Sequence, residues 1–386
     1  MDKKNYDGQL RRQCLSIPAM AEEQIAGLKK GLENTIPRDV LKKIRRVILT
    51  GCGDSYLAAK IAVPAFEKYA GAFGNKFTFE RCIDVAKAFK CDPSQAESTL
   101  VVAISASGSA VRVSEALLRA RHYGAKSLLL TNAPESSGAK AAEYTFIVNT
   151  PPFGEPGPGL RNYYASLAGA FALAAYMGEA KGLQPEGTVD KLFAAILEYT
   201  AEFAKYLPEM DDQAFQIAQA WQNMPAMEAI GDYTDWASAY FIAAKVVEVA
   251  GVLATTIDSE NWCHVHYFAS DRRNIGTVIV STKEFNNFSR VKETLRTVEG
   301  IGRPAWLITT GTREDYEVGA GVEVCTVPKA PEGFEFIEPM LNHIPGSIMA
   351  SYLAALHGEP YFRAADSIHR TSPYGHTLRT SAIESF

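Results

Sequence analysis

The feature that most constrains the fold of this 386-residue chain is an alternation of short β-rich runs with helical patterns. Apolar residues at helical spacing occupy Ser55–Gly71 and Ala110–His122. Such alternation is typical of a parallel sheet covered by helices. The sequence therefore predicts an α/β fold with a doubly wound sheet. The strands predicted in the first half are Arg46–Thr50, Thr99–Ser105, Ser127–Thr131 and Tyr144–Asn149.

The second half of the chain repeats this order at a nearly constant offset. The repeat predicts two flavodoxin-like subdomains in tandem, and ligands of such folds bind at the carboxyl ends of the strands. The matching pairs are Val101–Ser105 with Thr277–Ser281, Leu128–Asn132 with Trp306–Thr310, and Ile48–Gly51 with Met227–Gly231, the last followed by a predicted helix over Trp236–Ala250.

These patterns divide the chain into four predicted parts. A helical segment (1–37) precedes a first doubly wound domain (38–205), a second one (206–360) and a polar C-terminal tail (361–386).

Composition excludes several classes of partner. The chain carries 39 Lys and Arg against 44 Asp and Glu, and no run of basic residues, so neither a nucleic acid nor a membrane surface is expected as its target. The most apolar helical stretch, Ala165–Gly178, is shorter than the roughly 20 residues that span a bilayer. The N-terminus has no leader pattern, and the six cysteines include no CxxC pair, so we expect a cytoplasmic protein without a disulfide framework.

The first chemical motif is Gly51-Cys-Gly53-Asp-Ser55-Tyr56, at a predicted turn from strand to helix. Glycines allow a tight turn and a close backbone approach, and the N–H groups of a helix start favour an anion. Ser55 adds a hydroxyl donor. The alternatives are a turn without a ligand and a dinucleotide site, although Tyr56 stands where the dinucleotide motif has glycine.

The second motif, Ser105-Ala-Ser107-Gly-Ser109, follows the apolar strand that ends at Ile104. Three hydroxyls and several backbone amides at a helix start form a phosphate cradle that needs no lysine. Helix capping is an equally good explanation for one such turn. Two such turns after neighbouring strands of one sheet, however, converge on one crevice.

Together these two motifs resemble the sugar isomerase (SIS) domain family, which binds phosphorylated sugars. The tandem layout is similar to the group that contains the isomerase half of glucosamine-6-phosphate synthase and the fructosamine-6-phosphate deglycases. The resemblance implies that Ser55, Ser105, Ser107 and Ser109, in turns that include Gly53, contact the phosphate or the sugar hydroxyls. The chain departs from the family pattern at Ala106 and Ala110, where glutamine and threonine are usual.

A third constellation lies in the second half. In the tandem group, a glutamate on the helix after the first turn shuttles a proton between the first two sugar carbons, and a histidine 16 residues later assists ring opening. Glu248 and His264 have that spacing, and Glu260 matches a glutamate that usually precedes the histidine. The alternative for Glu248 is an exposed glutamate paired with Lys245.

The histidine segment also departs from the family. His264 is followed by Val-His266, where Gly-Pro is usual, so His266 is a rival for the same role. The two histidines could form a metal pair, but no further ligand stands at a usual spacing. We therefore expect no metal at this segment.

The C-terminal segment Leu378–Glu384 resembles the synthase tail, in which a lysine forms a Schiff base with the ketose. Arg379 is the nearest basic residue here, and an arginine stays protonated and cannot form that imine. The alternatives for the tail are a clamp, in which Arg379 binds the phosphate or a carboxylate, and a disordered end.

The resemblance implies a metal- and cofactor-independent enzyme acting on a sugar phosphate, as a homodimer in which His264 can complete the partner's site. We expect a reaction like that of the deglycases, since the chain begins at a helix that leads directly into the first domain, without a glutaminase domain. The alternatives are a ketose/aldose phosphate isomerase, an amino-sugar phosphate deaminase and a non-catalytic sugar-phosphate sensor.

Overall fold

The computed structural model describes residues 2–155, 157–359, 377–384 and 386. The chain forms two five-stranded sheets in which all strands are parallel. This confirms the predicted α/β fold with tandem doubly wound sheets. The strands of the first sheet are β1 (Arg46–Gly51), β2 (Lys76–Arg81), β3 (Thr99–Ile104), β4 (Lys126–Thr131) and β5 (Tyr144–Ile147). Those of the second are β6 (Ala226–Ile230), β7 (Leu253–Ile257), β8 (Ile275–Ser281), β9 (Ala305–Thr309) and β10 (Val322–Thr326).

Both sheets have the same strand order. The first is β2-β1-β3-β4-β5 and the second, read from its other edge, is β7-β6-β8-β9-β10. In each sheet the second strand in the chain pairs on one side of the first strand, and the third strand pairs on the other side. Each sheet therefore has a topological switch point, between β1 and β3 in the first and between β6 and β8 in the second, where ligands of such folds bind.

Helices connect the strands and cover the sheets. In the first half they are α1 (Gln9–Glu33), α2 (Arg38–Lys43), α3 (Asp54–Ala70), α4 (Cys82–Ala88), α5 (Pro93–Ala96), α6 (Val111–His122), α7 (Ser137–Ala141) and α8 (Leu160–Ala180). They continue with α9 (Thr188–Trp221), α10 (Asp235–Lys245), α11 (Ser259–His264), α12 (Phe288–Gly300), α13 (Arg313–Tyr316) and α14 (Ile344–Leu356). A π-helical turn spans Val246–Ala250, and 3₁₀ turns span Lys3–Tyr6, His266–Phe268, Glu335–Met340 and Thr377–Arg379.

The described residues fall into two compact units. The first-sheet unit comprises Ala19–Pro152, Arg161–Leu197 and, from the range Pro373–Phe386, the described residues. The second-sheet unit comprises, from Met1–Pro18, Phe153–Leu160 and Glu198–Ser372, the described residues. The boundaries predicted at residues 37, 205 and 360 remain predictions.

Each unit has its own hydrophobic core beside its sheet. In the first-sheet unit, Ile48 and Val101 of the sheet pack with Val113 and Leu117 of α6, all of them inaccessible to solvent. In the second-sheet unit, Trp262 packs with strand residues and with α12. Burial of such side chains stabilises each unit by roughly 1.5–3 kcal/mol for every large apolar group.

The central strands and the edge strand β5 were predicted within two residues of their ends, but the other three edge strands were missed. β2, β7 and β10 carry exposed or half-buried residues along much of their length, so they lack the continuous apolar run of a buried strand. The predicted helix over Trp236–Ala250 is α-helical only to Lys245 and then becomes the π-turn. Within the described ranges, none of the helices has both the length and the apolar character needed to cross a membrane.

Candidate functional site

The two serine-containing turns emerge side by side from the first sheet. Gly51 at the end of β1 is the register partner of Ile104 at the end of β3. The turns that follow therefore flank the switch point of the first sheet. We call this place the first crevice, formed by residues 51–55 and 105–110.

The 51–55 turn depends on its glycines. Gly53 has a φ of +57°, in the left-handed region that disfavours other residues. A Cβ on Gly51 would lie 2.6 Å from the backbone of Ser55, so this close approach requires glycine. Ser55 is then in the first turn of α3, half-buried, as the sequence predicted for the start of this helix.

The 105–110 turn is fixed by its own hydroxyls. Ser105, which is buried, accepts a hydrogen bond at Oγ from the backbone N–H of Gly108 at 3.2 Å. The Oγ atoms of Ser107 and Ser109 lie 2.8 Å apart. Gly108 has a φ of +57°, and a Cβ there would lie 2.0 Å from Ser136 Oγ. The turn is thus held tightly, with Ser107 exposed at its tip.

The chemistry of the first crevice suits an anion. Ala110 precedes α6, and no side chain of the described residues caps this helix. The first N–H groups of a 12-residue helix therefore point to the same place as the serine hydroxyls. Asp54 in the first turn of α3 is the one acidic residue of the 51–55 turn, and its charge helps to raise the pKa of the buried Tyr163 hydroxyl.

The C-terminal segment lies on α4 and α6 of the same unit. The guanidinium of Arg112 donates to the carbonyl of Ala382 at 2.5 Å, and Lys87 pairs with Glu384 at 2.9 Å. Arg379 is exposed in the 3₁₀ turn Thr377–Arg379. Of the predicted tail, residues 361–376 lie outside the described residues.

Glu248 lies in the second-sheet unit, on the π-turn after α10. Its Oε2 is 2.5 Å from Lys245 Nζ, and the lysine side chain is 1% exposed while the glutamate is 35% exposed. The pairing that the alternative interpretation anticipated is therefore present, but with a buried lysine. A π-turn shifts the side chains that follow it out of α-helical register, and such turns are frequent at functional sites. The ammonium of Lys245 also lies 4.7 Å from the centre of the Phe241 ring.

His264 and Glu260 lie one turn apart on the short helix α11. Their side chains meet at 3.0 Å, between His264 Nε2 and Glu260 Oε1, and both are more than half exposed. Glu260 also pairs with Arg290 at 2.7 Å. The structure therefore brings these two predicted residues together at the surface of the second-sheet unit.

His266 has a different environment. Its Nδ1 lies 3.0 Å from Oε2 of Glu228, a buried residue of β6. Burial acts to raise the pKa of Glu228, but the bond from His266, the charge of Arg303 and the bond from Trp262 together lower it. His266 is thus one partner of a buried carboxylate, whereas His264 projects into solvent.

The switch point of the second sheet, here called the second crevice, contains the buried acid Asp235. Gly231 corresponds to Gly51 of the first sheet. A Cβ on Gly231 would lie 2.4 Å from the backbone of Asp235, four residues later, as a Cβ on Gly51 would meet the backbone of Ser55. Asp235 is inaccessible and accepts hydrogen bonds from the N–H of Thr282 at 2.6 Å and from Asn342 at 2.9 Å. Burial raises the pKa of Asp235 to about 7.

Other buried titratable groups surround the second crevice. Burial raises the pKa of Glu338 to about 8, and the charges of Glu284 and Asp235 add to the effect. Burial lowers the pKa of His343 to about 3, so this ring, which lies 4.4 Å from that of Phe241, is neutral at physiological pH.

Sequence reasoning missed two features of these sites. The sequence analysis names Lys245 only as the partner of an exposed Glu248, although the place of the lysine in the apolar run 241–247 indicates that it is buried. The substitution of Asp235 for Ser55 in the repeat was visible once Gly51 and Gly231 are aligned. Within the described parts of the chain, no group of three or more His, Cys, Asp or Glu side chains could hold a metal ion.

The chain is similar to known proteins along most of its length. The chain is 22% identical over 370 residues to glutamine-fructose-6-phosphate aminotransferase (isomerizing) of Corynebacterium diphtheriae, a match that covers 92% of this chain and 57% of that protein. The chain thus spans about half the length of the curated relatives it matches.

Two solved structures show the same fold. The C-terminal domain of glucosamine-fructose-6-phosphate aminotransferase from Francisella tularensis has a TM-score of 0.80 at 18% identity, covering 94% of this chain and all of that one. Glucosamine-6-phosphate deaminase from Thermotoga maritima has a TM-score of 0.63 at 16% identity, covering 93% and 98%. Residues 40–175 match the SIS domain family. The predicted resemblance to the SIS domain family is therefore confirmed over residues 40–175, and the chain shares its fold with these two solved structures.

Proposed function

We propose that this chain is a phosphosugar-processing enzyme with a reaction like that of the fructosamine-6-phosphate deglycases. The observation that carries the proposal is the first crevice, where hydroxyls and helix N–H groups converge at a switch point without a lysine. A phosphate group satisfies such donors, and the sugar-phosphate names of the relatives agree with this ligand class.

In this proposal Ser55, Ser105, Ser107 and Ser109, with the Gly53 turn, hold the 6-phosphate. Arg379 supplies a further positive charge. Its exposed guanidinium lies in the same unit, beside the segment that is attached to α6.

The chemistry is a proton transfer followed by hydrolysis. His264, steadied by Glu260, assists opening of the sugar ring. Glu248 removes a proton from C1 and returns it to C2, while the C2 oxygen gains a proton and the amine nitrogen loses one. The ketone at C2 and the amine at C1 thus become a hydroxyl at C2 and an imine at C1. Water then adds to the imine and releases hexose 6-phosphate and the amine. The buried Lys245 supports the role of Glu248, because an ion pair with a fixed partner orients the carboxylate.

The second candidate is an amino-sugar phosphate deaminase or a ketose/aldose phosphate isomerase. The likeness to the Thermotoga deaminase favours it, and the same proton transfer between C1 and C2 serves both reactions. The homodimer and the absence of a cofactor are further parts of the proposal, as is the cytoplasmic location.

The test is turnover of a panel of sugar phosphates, followed by mass spectrometry. The panel includes 6-phosphorylated fructosamines, fructose 6-phosphate and glucosamine 6-phosphate. The enzymes compared are the wild type, Glu248→Gln, and the matched control Glu202→Gln, which alters an exposed glutamate paired with Lys205 at the same spacing.

The proposal predicts hexose 6-phosphate and a free amine from the fructosamines, with wild type and control but not with Glu248→Gln. Ammonia from glucosamine 6-phosphate alone would make the chain a deaminase, and interconversion of hexose phosphates alone would make it an isomerase. Equal turnover by Glu248→Gln would contradict the role of Glu248.

A further inference from the structure

Two thiols stand next to each other beside the first crevice. Cys52 follows Gly51 at the end of β1, and Cys82 follows Arg81 at the end of β2. Gly51 and Arg81 are register partners, and neighbouring strands lie about 4.8 Å apart. That spacing falls within the range of roughly 4.4–6.8 Å between Cα atoms that a disulfide requires. The two thiols also interact with each other, since each shifts the pKa of the other.

The two thiols have unequal environments. Cys52 is exposed, whereas Cys82 is buried. The hydrogen bond from the Cys82 thiol lowers the pKa of Cys52, and the positive charge of Arg112 lowers it further against the opposing effect of burial. The same hydrogen bond, together with burial, raises the pKa of Cys82. Cys52 is therefore the accessible thiol of the pair and the one that loses its proton more readily, whereas Cys82 keeps its proton.

We propose that Cys52 and Cys82 form an oxidative modification site, at which a hydroperoxide converts the two thiols into an intramolecular disulfide. The Cys52 thiolate attacks the peroxide, the O–O bond breaks, and an alcohol or water leaves once a proton is taken up. The resulting Cys52 sulfenic acid is two electrons more oxidised than the thiol. The sulfur of Cys82 then attacks that of Cys52, an S–S bond replaces the S–O bond, and hydroxide leaves with the Cys82 proton as water.

The remaining cysteines provide internal controls. Cys14, Cys91 and Cys325 are buried, and burial raises the pKa of Cys14 and of Cys325. Cys263 is half-buried, and its sulfur lies 3.9 Å from the hydroxyl oxygen of Thr294. A reaction that followed accessibility alone would modify Cys263 as well as Cys52, but would give no link to Cys82.

The disulfide has a consequence that rests on the proposed function. Cys52 lies between Gly51 and Gly53, inside the turn that forms one side of the first crevice. A covalent bond to Cys82, the first residue of α4, would fix this turn to the edge of the sheet and restrict its movement toward a bound phosphate. We expect the oxidised chain to bind a sugar phosphate at least about tenfold more weakly than the reduced chain.

The test treats the full chain with hydrogen peroxide, blocks remaining thiols by alkylation, and maps peptides without reduction. The expected product is a peptide pair joining Cys52 to Cys82, lighter by two hydrogen atoms and separated by dithiothreitol. In Cys82→Ala, dimedone should trap a sulfenic acid at Cys52. In Cys52→Ser, Cys82 should remain a thiol.

The assignment is overturned if both residues remain thiols while Cys263 is oxidised, or if Cys82 reacts equally well in Cys52→Ser. A calorimetric titration with fructose 6-phosphate, before and after oxidation, tests the consequence. Equal affinity of the two forms would contradict it. A reduced chain that fails to bind would overturn the proposed function instead, and the peptide map alone would then decide the dithiol assignment.

Discussion

The two crevices of this molecule have the same backbone plan and opposite chemistry. In both, a glycine at the end of the first strand approaches the backbone four residues later, at Ser55 in the first crevice and at Asp235 in the second. In the first, hydroxyls and N–H groups face the switch point. In the second, the carboxylate of Asp235 already accepts the N–H of Thr282, the donor that follows β8.

This difference between the crevices fits the proposed function, in which one copy of the fold binds the sugar phosphate and the other carries the proton-transfer residues. A crevice whose N–H donor is already occupied by a buried acid cannot offer it to a phosphate group, whereas one lined by hydroxyls and N–H groups offers several donors. The second-sheet unit instead carries the buried Lys245 beside Glu248. Under the proposed function, the first unit binds the anion and the second carries out the proton transfer.

The largest effect expected concerns the buried acid of the second crevice. The pKa of Asp235 is raised from 3.8 to about 7, so the folded state holds its proton over a pH range in which the unfolded chain has lost it. The stability contributed by protonated Asp235 is complete below pH 4 and is lost as the pH rises to 7. The free energy of unfolding should fall by up to about 4 kcal/mol across that range.

Urea unfolding at a series of pH values measures this fall, and Asp235→Asn should make it shallower. Asp39→Asn, at an exposed carboxylate of α2, is the control and should leave the slope unchanged. An unaltered slope in Asp235→Asn would show that this acid ionises in the folded state as it does in water.

The next effect concerns the buried lysine of the second-sheet unit. Lys245→Met keeps the length and packing of the side chain beside Phe241 but removes the charge that orients Glu248. We expect kcat on the panel substrate to fall about 100-fold with KM nearly unchanged, since general acid–base catalysis contributes roughly 10²–10⁴-fold.

Steady-state kinetics measures the effect, and Lys205→Met at the exposed Lys205–Glu202 pair is the matched control. A rise in KM with unchanged kcat would assign Lys245 to substrate binding. It would contradict the proposal that the first unit binds the substrate and the second carries out proton transfer.

A smaller effect is expected from the tight turn of the first crevice. A Cβ in Gly108→Ala would meet Ser136 Oγ at 2.0 Å in addition to the cost of the left-handed φ. We expect the free energy of unfolding to fall by about 2 kcal/mol and the affinity for fructose 6-phosphate to fall with it.

Gly74→Ala separates the cost of the left-handed φ from the cost of the steric contact, because Gly74 has a φ of +82° and nothing within 4 Å of its Cβ position. It should lose about 1 kcal/mol of stability and keep its affinity. Equal affinity in Gly108→Ala and Gly74→Ala would mean that the 105–110 turn does not contact the ligand.

The sequence predicted the sheets and the first crevice because both depend on local patterns. β1, β3 and β4 are apolar runs that are followed by glycine- or serine-containing turns. Nearly every residue of these strands is buried, as their apolar sequences predict. The edge strand β2 could not be predicted in this way, because Lys76–Arg81 has no continuous apolar run. Its place in the sheet depends on pairing with β1.

The environment of a charged group was harder to predict than its position. The sequence predicted Glu248 on a helix over Trp236–Ala250, whereas the structure has it in a π-turn after Lys245, which is buried. The contrast between His264 and His266 depends on Glu228, which lies 38 residues before His266 and is brought to it by the sheet.

The most direct test of the contrast between the crevices is to give the first one the acid of the second. Calorimetric titration of fructose 6-phosphate into wild type, Ser55→Ala and Ser55→Asp measures the effect. Like-charge contact in a binding site costs several kcal/mol, so the account predicts at least about 100-fold weaker binding in Ser55→Asp and a much smaller loss in Ser55→Ala. Wild-type affinity in Ser55→Asp would show that the phosphate does not bind in the first crevice.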